Sequence, residues 1–166
     1  MNSSLTINII RFVTLILLQT LICNNLNFFG SLNPFVYVLF IILYPIGSNR
    51  MNFIFISFLI GLVIDLFLDT GGAHGTASVC IAYIRPLILK FSFGAAYEYQ
   101  VIKINESELP QRLSYFLIMI LLHHFILFNL IYFDLSRLST IIYHILVVGV
   151  FTFIVTMLLN TLFSKN

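Results

Sequence analysis

Two acidic residues interrupt a long apolar stretch and the turn that follows it. Asp65 and Asp69 follow Gly61 at intervals of four residues, a spacing that places all three on one helical face. An ionisable group inside a membrane-spanning helix is costly, and such groups are candidates for function. Because glycine lets a second helix approach closely, Gly61 indicates that Asp65 faces protein and not lipid.

Several roles remain open for this stretch. We expect Asp65 either to form a structural hydrogen bond to a neighbouring helix or to contact a partner or a substrate. Neither of these roles is catalytic. Asp69 is interpreted as a turn acid, since turns favour aspartate. Gly71 and Gly75 are expected to free the backbone for a tight reversal into the next helix. We therefore predict partner binding or helix packing for Gly61, Asp65, Asp69, Gly71 and Gly75.

Three further ionisable residues fall inside apolar runs. His123 and His124 are adjacent at the centre of 113–133, and neighbouring helical positions point about 100° apart. We expect neutral histidines hydrogen-bonded between helices; a proton relay is the alternative, but the sequence places no acid at matching depth. Arg85 precedes Pro86. We expect its side chain to extend to the cytoplasmic surface and the proline to kink or end its helix.

A metal centre is not predicted. Histidine and carboxylate side chains suit zinc, but those available on the outer side come from separate connectors or helix ends without ligand spacing: Asp65, Asp69, His74, Asp134 and His144. Cys23 and Cys80 fall in predicted helices and are interpreted as packing residues. We predict no cofactor and no catalytic residue, since the motifs of phosphate-binding loops, zinc proteases and serine hydrolases are missing.

The elements that position these residues follow from composition. The chain has 166 residues, 60% hydrophobic and 8% charged, whereas soluble domains have roughly 45–50% apolar and about 25% charged residues. A soluble protein of this size could not bury so much apolar surface, and disordered chains have the opposite composition. The apolar runs lack the alternation of a membrane β-barrel. The sequence therefore predicts an all-α integral membrane protein.

Six apolar windows suggest a single domain over residues 1–166. A helix needs about 20 apolar residues to cross a bilayer, and the predicted spans are 5–23, 28–46, 51–68, 73–91, 113–133 and 140–162. The apolar part of the second window, 34–46, is short. If it does not cross, the compact bundle has five spans and not six.

Charge predicts the orientation. With six spans, one side receives the N-terminus, residues 47–50, the 92–112 connector and the C-terminus. That side collects five basic residues, Arg50, Lys90, Lys103, Arg112 and Lys165, and the other side has Arg137. Cytoplasmic segments are enriched in lysine and arginine. The C-terminus and the 92–112 connector are therefore expected in the cytoplasm, the latter as a plain connector or a docking surface.

The small size, the number of spans, the short loops and one motif resemble the MreD family, the membrane subunit of the bacterial rod-shape (elongation) machinery. The resemblance covers nearly the whole chain by architecture. In order along the chain, Gly61, Asp65, Gly75 and Ala77 match the family pattern of a glycine, an acid four residues later and a glycine leading into a small-residue helix. Asp69 and His74 depart from it.

The resemblance implies a non-enzymatic protein of the bacterial inner membrane that binds MreC, a single-span protein. Through MreC it would couple MreB filaments to the RodA glycosyltransferase and its transpeptidase partner, and so regulate peptidoglycan synthesis and cell shape. The same resemblance implies a fold similar to the substrate-binding component of energy-coupling vitamin transporters. Such a component is the alternative function, although residues 5–23 lack the alanine motif expected for docking to a coupling subunit.

Overall fold

The computed structural model describes residues 3–26, 32–94, 97 and 103–163, and the regular structure among them is helical. The α-helices are α1 Ser3–Leu17, α2 Val38–Leu43, α3 Arg50–Leu68, α4 Ala73–Phe93, α5 Leu109–Tyr132 and α6 Leu138–Phe163. A π-helical turn, Leu18–Ile22, and a 3-10 turn, Cys23–Asn25, extend α1. Further 3-10 turns cover Ile104–Glu106 and Leu135–Arg137.

Five helical stretches are long and apolar enough to cross a membrane: Leu5–Asn25, Arg50–Leu68, Ala73–Phe93, Leu109–Tyr132 and Leu138–Leu162. They confirm the all-helical class and fit a multi-pass membrane protein. The predicted span 28–46 differs from the rest. Residues 27–31 lie outside the described residues, and the remainder contains only the six-residue α2.

Helix boundaries follow from local chemistry. The Asn49 side chain accepts hydrogen bonds from the backbone N–H groups of Met51 and Asn52 and so caps the start of α3. Pro110 lies in the first turn of α5, where its missing N–H costs nothing. Pro86 lies inside α4, which continues to Phe93. The expectation that this proline ends its helix is therefore wrong.

The long helices pack as a series of antiparallel neighbours: α3 against α4, α4 against α5, and α5 against α6. Two ends of the bundle follow from this order. The turn end carries residues 69–72 and 133–137, and the connector end carries residues 47–49 and 103–108. The N-terminal part of α1 lies at the connector end, because Leu5 and Asn8 border the same groove as Pro45 and Ser48.

Residues 32–46 run through the bundle from the turn end to the connector end. Near the turn end, the Asn33 side chain donates to the backbone oxygen of Asn24. Near the connector end, the backbone oxygen of Tyr44 accepts from Arg85. Residues 36–42, which include most of α2, are at most 1% exposed. The shortest helix therefore occupies the centre of the core, surrounded by the longer ones.

Candidate functional site

The buried central segment, residues 34–44, needs hydrogen-bond partners from outside itself. A helix leaves its first N–H groups and its last carbonyl groups unpaired, and α2 is only six residues long. A buried backbone group without a partner is costly, and more so where water is excluded. Five polar side chains from other elements meet this need, and we call them the polar ring: Arg11, Gln19, Arg85, Tyr115 and Thr152.

Gln19 and Thr152 serve the beginning of the central segment. The buried Gln19 amide donates to the Pro34 carbonyl at 3.1 Å and accepts from the Tyr37 N–H at 3.4 Å. The Thr152 hydroxyl accepts from the Phe35 N–H at 3.0 Å. Gln19 lies in the π-helical turn after α1, a local widening that is frequent at functional sites.

Arg85 and Tyr115 serve the end of the segment. Arg85 Nη2 donates to the carbonyls of Ile42 and Tyr44, at 3.1 and 2.5 Å. Arg85 Nε donates to the Tyr115 hydroxyl at 2.7 Å, and this hydroxyl donates to the Ile42 carbonyl at 3.0 Å. A cation is favourable at a helix C-terminus. Arg85 is 3% exposed, so the expected extension of its side chain to the cytoplasmic surface is wrong.

A second arginine assists from α1. Arg11 Nη1 donates to the Leu43 carbonyl at 3.2 Å. Three consecutive carbonyls at the end of α2 thus receive donors from side chains on other helices. The end of the central segment is held by positive charge from α1 and α4.

The hydroxyl of Tyr37 joins two histidines from different helices. It lies 2.9 Å from His74 Nδ1 on α4 and 2.7 Å from His123 Nε2 on α5. All three side chains are fully buried. His74 was expected at the outer surface, and the structure instead places it in the core. The partner that the structure places at the depth of His123 is not an acid but the Tyr37 hydroxyl, which also contacts His74.

This arrangement couples the protonation of the two imidazoles. A phenol has one hydrogen, so Tyr37 donates to one ring nitrogen and accepts from the other. One histidine must therefore present N–H and the other a lone pair. The far nitrogens, His74 Nε2 and His123 Nδ1, are enclosed without a hydrogen-bond partner among the described residues. The relay suggested for His123 stays a prediction, but its neighbours along such a chain are now identified.

His124 anchors α5 to α6 and to the central segment. Its Nδ1 lies 2.8 Å from the Ile120 carbonyl and therefore carries the hydrogen of a neutral ring. Its Nε2 then accepts from the Thr152 hydroxyl at 3.2 Å, and that hydroxyl also accepts from Phe35 N–H. Both adjacent histidines are thus buried and hydrogen-bonded between elements, as the first interpretation of the sequence describes.

The Gly61 to Gly75 motif builds the contact between α3 and α4. A Cβ added at Gly61 would lie 2.5 Å from the His74 backbone oxygen and 2.7 Å from Gly75 Cα, so only glycine permits this approach. Asp65 accepts from the N–H groups of His74 and Gly75 at 2.9 and 2.7 Å and from the Thr70 hydroxyl. Asp65 therefore caps the beginning of α4 from the preceding helix. The predicted roles of these residues were partner binding and helix packing. The described contacts of Gly61, Asp65 and Gly75 are contacts of helix packing.

Asp69 and Gly71 belong to the turn that follows α3. Asp69 is exposed and ends α3 in the left-handed conformation, with φ of 53°. Gly71 and Gly72 also have positive φ, 62° and 96°. Aspartate and glycine are the residues that accept this backbone conformation most readily. The turn interpretation of Asp69 and Gly71 agrees with this geometry.

The other polar residues of the turn end are separate from the polar ring. Asp134 accepts from Ser136 N–H at 2.9 Å and lies 3.6 Å from Arg137 Nε. The hydrogen bonds from Ser136 lower the pKa of Asp134. His144 lies 3.3 Å from the Tyr132 hydroxyl. Among the described residues, no three histidine, cysteine, aspartate or glutamate side chains are grouped closely enough to hold a metal.

Two hollows bear on binding. At the turn end, a cavity of about 110 Å³ is lined by Asn24, Asn33, Phe35, Leu68, Phe128, His144 and Val148. Towards the connector end, a lateral groove of about 590 Å³ separates α1 from α3 and reaches Phe40 and Tyr44 of the central segment. We call it the α1–α3 groove. Its walls are mostly apolar, including Ile9, Phe12, Phe55 and Leu59.

The 92–112 connector is described only in part, since residues 95–96 and 98–102 lie outside the described residues. Lys103 and Glu106 form an exposed ion pair at 2.8 Å. The hydrogen bond and charge of Glu106 raise the pKa of Lys103. Nothing in this described part distinguishes a docking surface from a plain connector.

The sequence reasoning missed Gln19, Thr152, Tyr37 and Tyr115. Each is a polar, uncharged residue inside an apolar run, and a criterion based on charged residues and histidines does not select such residues. Their positions within predicted spans were the available signal, because a polar group in a bilayer needs a partner. Comparison of the chain with family models, with curated proteins and with solved structures found no match.

Proposed function

We propose that this chain is a non-enzymatic scaffold of the bacterial inner membrane, the MreD-like subunit of the rod-shape elongation complex. Its polar interior supports this role, because the side chains of the polar ring are engaged in holding the central segment and Asp65 is engaged in the α3–α4 contact. Binding then takes place through the outer faces of the helices. The expected partner is an MreC-like single-span protein, and through it MreB, RodA and the transpeptidase.

The observation that carries the proposal is the poor coverage of α1. Only 11% of the apolar window of Leu5–Asn25 is buried, compared with 28–44% for the other four stretches. The α1–α3 groove lies alongside it, with a volume of about 590 Å³. Helices associate in membranes by close packing, so a groove beside a loosely packed helix suits the single helix of a partner.

We further propose that residues 32–46 cross the membrane, which gives six passes. Irregular backbone at membrane depth is tolerated where protein surrounds it, and the central segment is buried on all sides. Six helical residues rise about 9 Å, and each extended residue adds up to about 3.3 Å, so fifteen residues are long enough. The basic residues near the connector end support its placement in the cytoplasm.

Site-specific photocrosslinking tests the scaffold role. A photoreactive residue at Phe55, in the α1–α3 groove, should capture the single-span partner in cells. The control is the same residue at Phe125 on α5, because the two side chains are similarly exposed, 60% and 55%. Equal capture at both positions, or capture at neither, would contradict docking in the groove.

The vitamin-transporter alternative has less support. Ligand pockets for small molecules usually measure about 300–1,000 Å³, whereas the turn-end cavity measures about 110 Å³. Of the ionisable residues expected on the outer side, His144 borders the cavity, while Asp65 and His74 form hydrogen bonds within the chain. Protection of a turn-end crosslink by a vitamin would favour transport over the scaffold.

A further inference from the structure

A small pocket at the connector end is bordered by two arginines. It has a volume of about 220 Å³ and lies between the 45–48 turn, the start of α3 and the second half of α4. Arg50 and Arg85 both line it, and no acidic side chain is found among its described lining residues. The pocket therefore has positive charge on its walls.

The hydrogen bonds of Arg85 leave one part of its guanidinium unused. Nε and Nη2 donate to the Tyr115 hydroxyl and to backbone carbonyls, whereas Nη1 has no acceptor among the described residues. Arg85 lines the pocket although the residue as a whole is only 3% exposed. A buried cation with two free N–H groups beside a pocket is suited to an anion.

Arg50 also lacks an acidic partner among the described residues. Its guanidinium lies over the Tyr83 ring, 4.7 Å from the centroid, and Nη2 donates weakly to the Tyr83 carbonyl at 3.4 Å. Stacking and one long hydrogen bond leave most of its donors available. Arg85 is likewise placed against a ring, 5.0 Å from the centroid of Phe53. Both guanidinium groups thus lie against aromatic side chains, and neither forms an ion pair with a carboxylate of the described residues.

We propose that this two-arginine pocket binds a phosphate group, and that the phosphate belongs to the headgroup of an anionic phospholipid. Guanidinium groups match phosphate geometry, and the pocket lies at the end of the bundle where the chain concentrates its basic residues. Anionic lipids populate the cytoplasmic leaflet and attract such residues. The bound phosphate completes the hydrogen bonds of Arg85 and thereby reinforces the end of α2. The inference is independent of the scaffold role.

Native mass spectrometry of the full chain in a neutral detergent tests this site. Phosphatidylglycerol, phosphatidylcholine with the same acyl chains, and inorganic phosphate are the three probes. We expect the wild-type protein to retain phosphatidylglycerol in preference to phosphatidylcholine. Arg50→Gln should weaken that retention about tenfold, the effect of losing one charge-assisted hydrogen bond.

Arg137→Gln is the matched control, because Arg137 is an exposed arginine at the opposite end. It should leave retention unchanged. Arg50 is chosen over Arg85, whose replacement would also remove donors from α2. Equal losses in both variants, or equal retention of the two lipids, would overturn the site. Displacement of the lipid by millimolar inorganic phosphate would keep the anion site but overturn the lipid as its source.

Discussion

At the scale of single residues, one hydroxyl connects three separate parts of the chain. Tyr37→Phe removes the group that bonds both His74 and His123 while keeping the ring. Two enclosed imidazole nitrogens would lose their partners, and an unpaired buried polar group costs about 1–3 kcal/mol. We therefore expect a loss of stability in that range, measured by thermal unfolding in detergent micelles.

Tyr143→Phe is the control for this change. Tyr143 is 54% exposed on α6, and its ring contacts His144, while its hydroxyl has no hydrogen bond among the described residues. Its replacement should leave the unfolding temperature close to that of the wild type. If the two variants were equally stable, the Tyr37 hydroxyl would not support the core.

The two acids of the motif give a second matched pair. The Asp65 carboxylate accepts three hydrogen bonds, two of them from the first N–H groups of α4. Asp65→Asn leaves one oxygen for these donors, and we expect a loss of about 1–2 kcal/mol, as for other helix caps. Asp69→Asn should be nearly neutral, because asparagine also accepts the left-handed conformation. Denaturant titration followed by circular dichroism would measure both.

Residue chemistry was only partly predictable from the sequence. Asp65, His123 and Arg85 could be identified as candidates because each is an ionisable residue inside an apolar run. The energetic cost of such a residue in a membrane does not depend on the fold. Their partners depend on which helices meet, and the sequence does not specify this. The Arg85 side chain was expected to reach water, but unpaired carbonyls at the end of α2 supply a closer set of acceptors.

At the scale of elements, the contact between α3 and α4 depends on the absence of a side chain. Gly61→Ala would place Cβ within 2.7 Å of backbone atoms of α4, which cannot move without separating the helices. Overpacking of this kind costs about 1–3 kcal/mol. We expect Gly61→Ala to destabilise the chain by itself, in the absence of any partner, as measured by thermal unfolding of the purified protein.

Gly149→Ala provides the comparison within α6. Its Cβ would meet only the Leu121 side chain, at 3.3 Å, which can rotate away, and alanine favours helix over glycine. This variant should be as stable as the wild type or slightly more so. If the Gly61→Ala protein were as stable as the wild type and failed only to bind a partner, Gly61 would serve partner binding and not internal packing.

Helix prediction succeeded where apolar length alone determines the outcome. Five windows have enough apolar residues to form spanning helices, whatever their neighbours. The described part of the window 28–46 contains only the six-residue α2, and the physical reason lies in other parts of the chain. Gln19, Thr152 and Arg85 satisfy backbone groups that a continuous helix would have paired internally, and all three residues lie outside the window.

At the scale of the whole molecule, the irregular central segment determines where the N-terminus lies. If residues 32–46 cross the membrane, α1 begins on the same side as the connector end; if they return, it begins on the opposite side. The contacts of Leu5 and Asn8 with the hollow beside Pro45 and Ser48 favour the first arrangement. Five or six passes are thus distinguishable by the location of one terminus.

Thiol labelling in intact cells tests this topology. The native Cys23 and Cys80 are first replaced, and single cysteines are then introduced at Ser3, Glu108 or Ser136. Intact cells that carry each variant are treated with a membrane-impermeant thiol reagent. We expect rapid labelling at Ser136 only, because the proposed orientation places the turn end outside, and protection at Ser3 and Glu108 until the membrane is opened. Labelling at Ser3 together with Ser136 would mean five passes. Labelling at Glu108 in intact cells would invert the orientation that the basic residues predict.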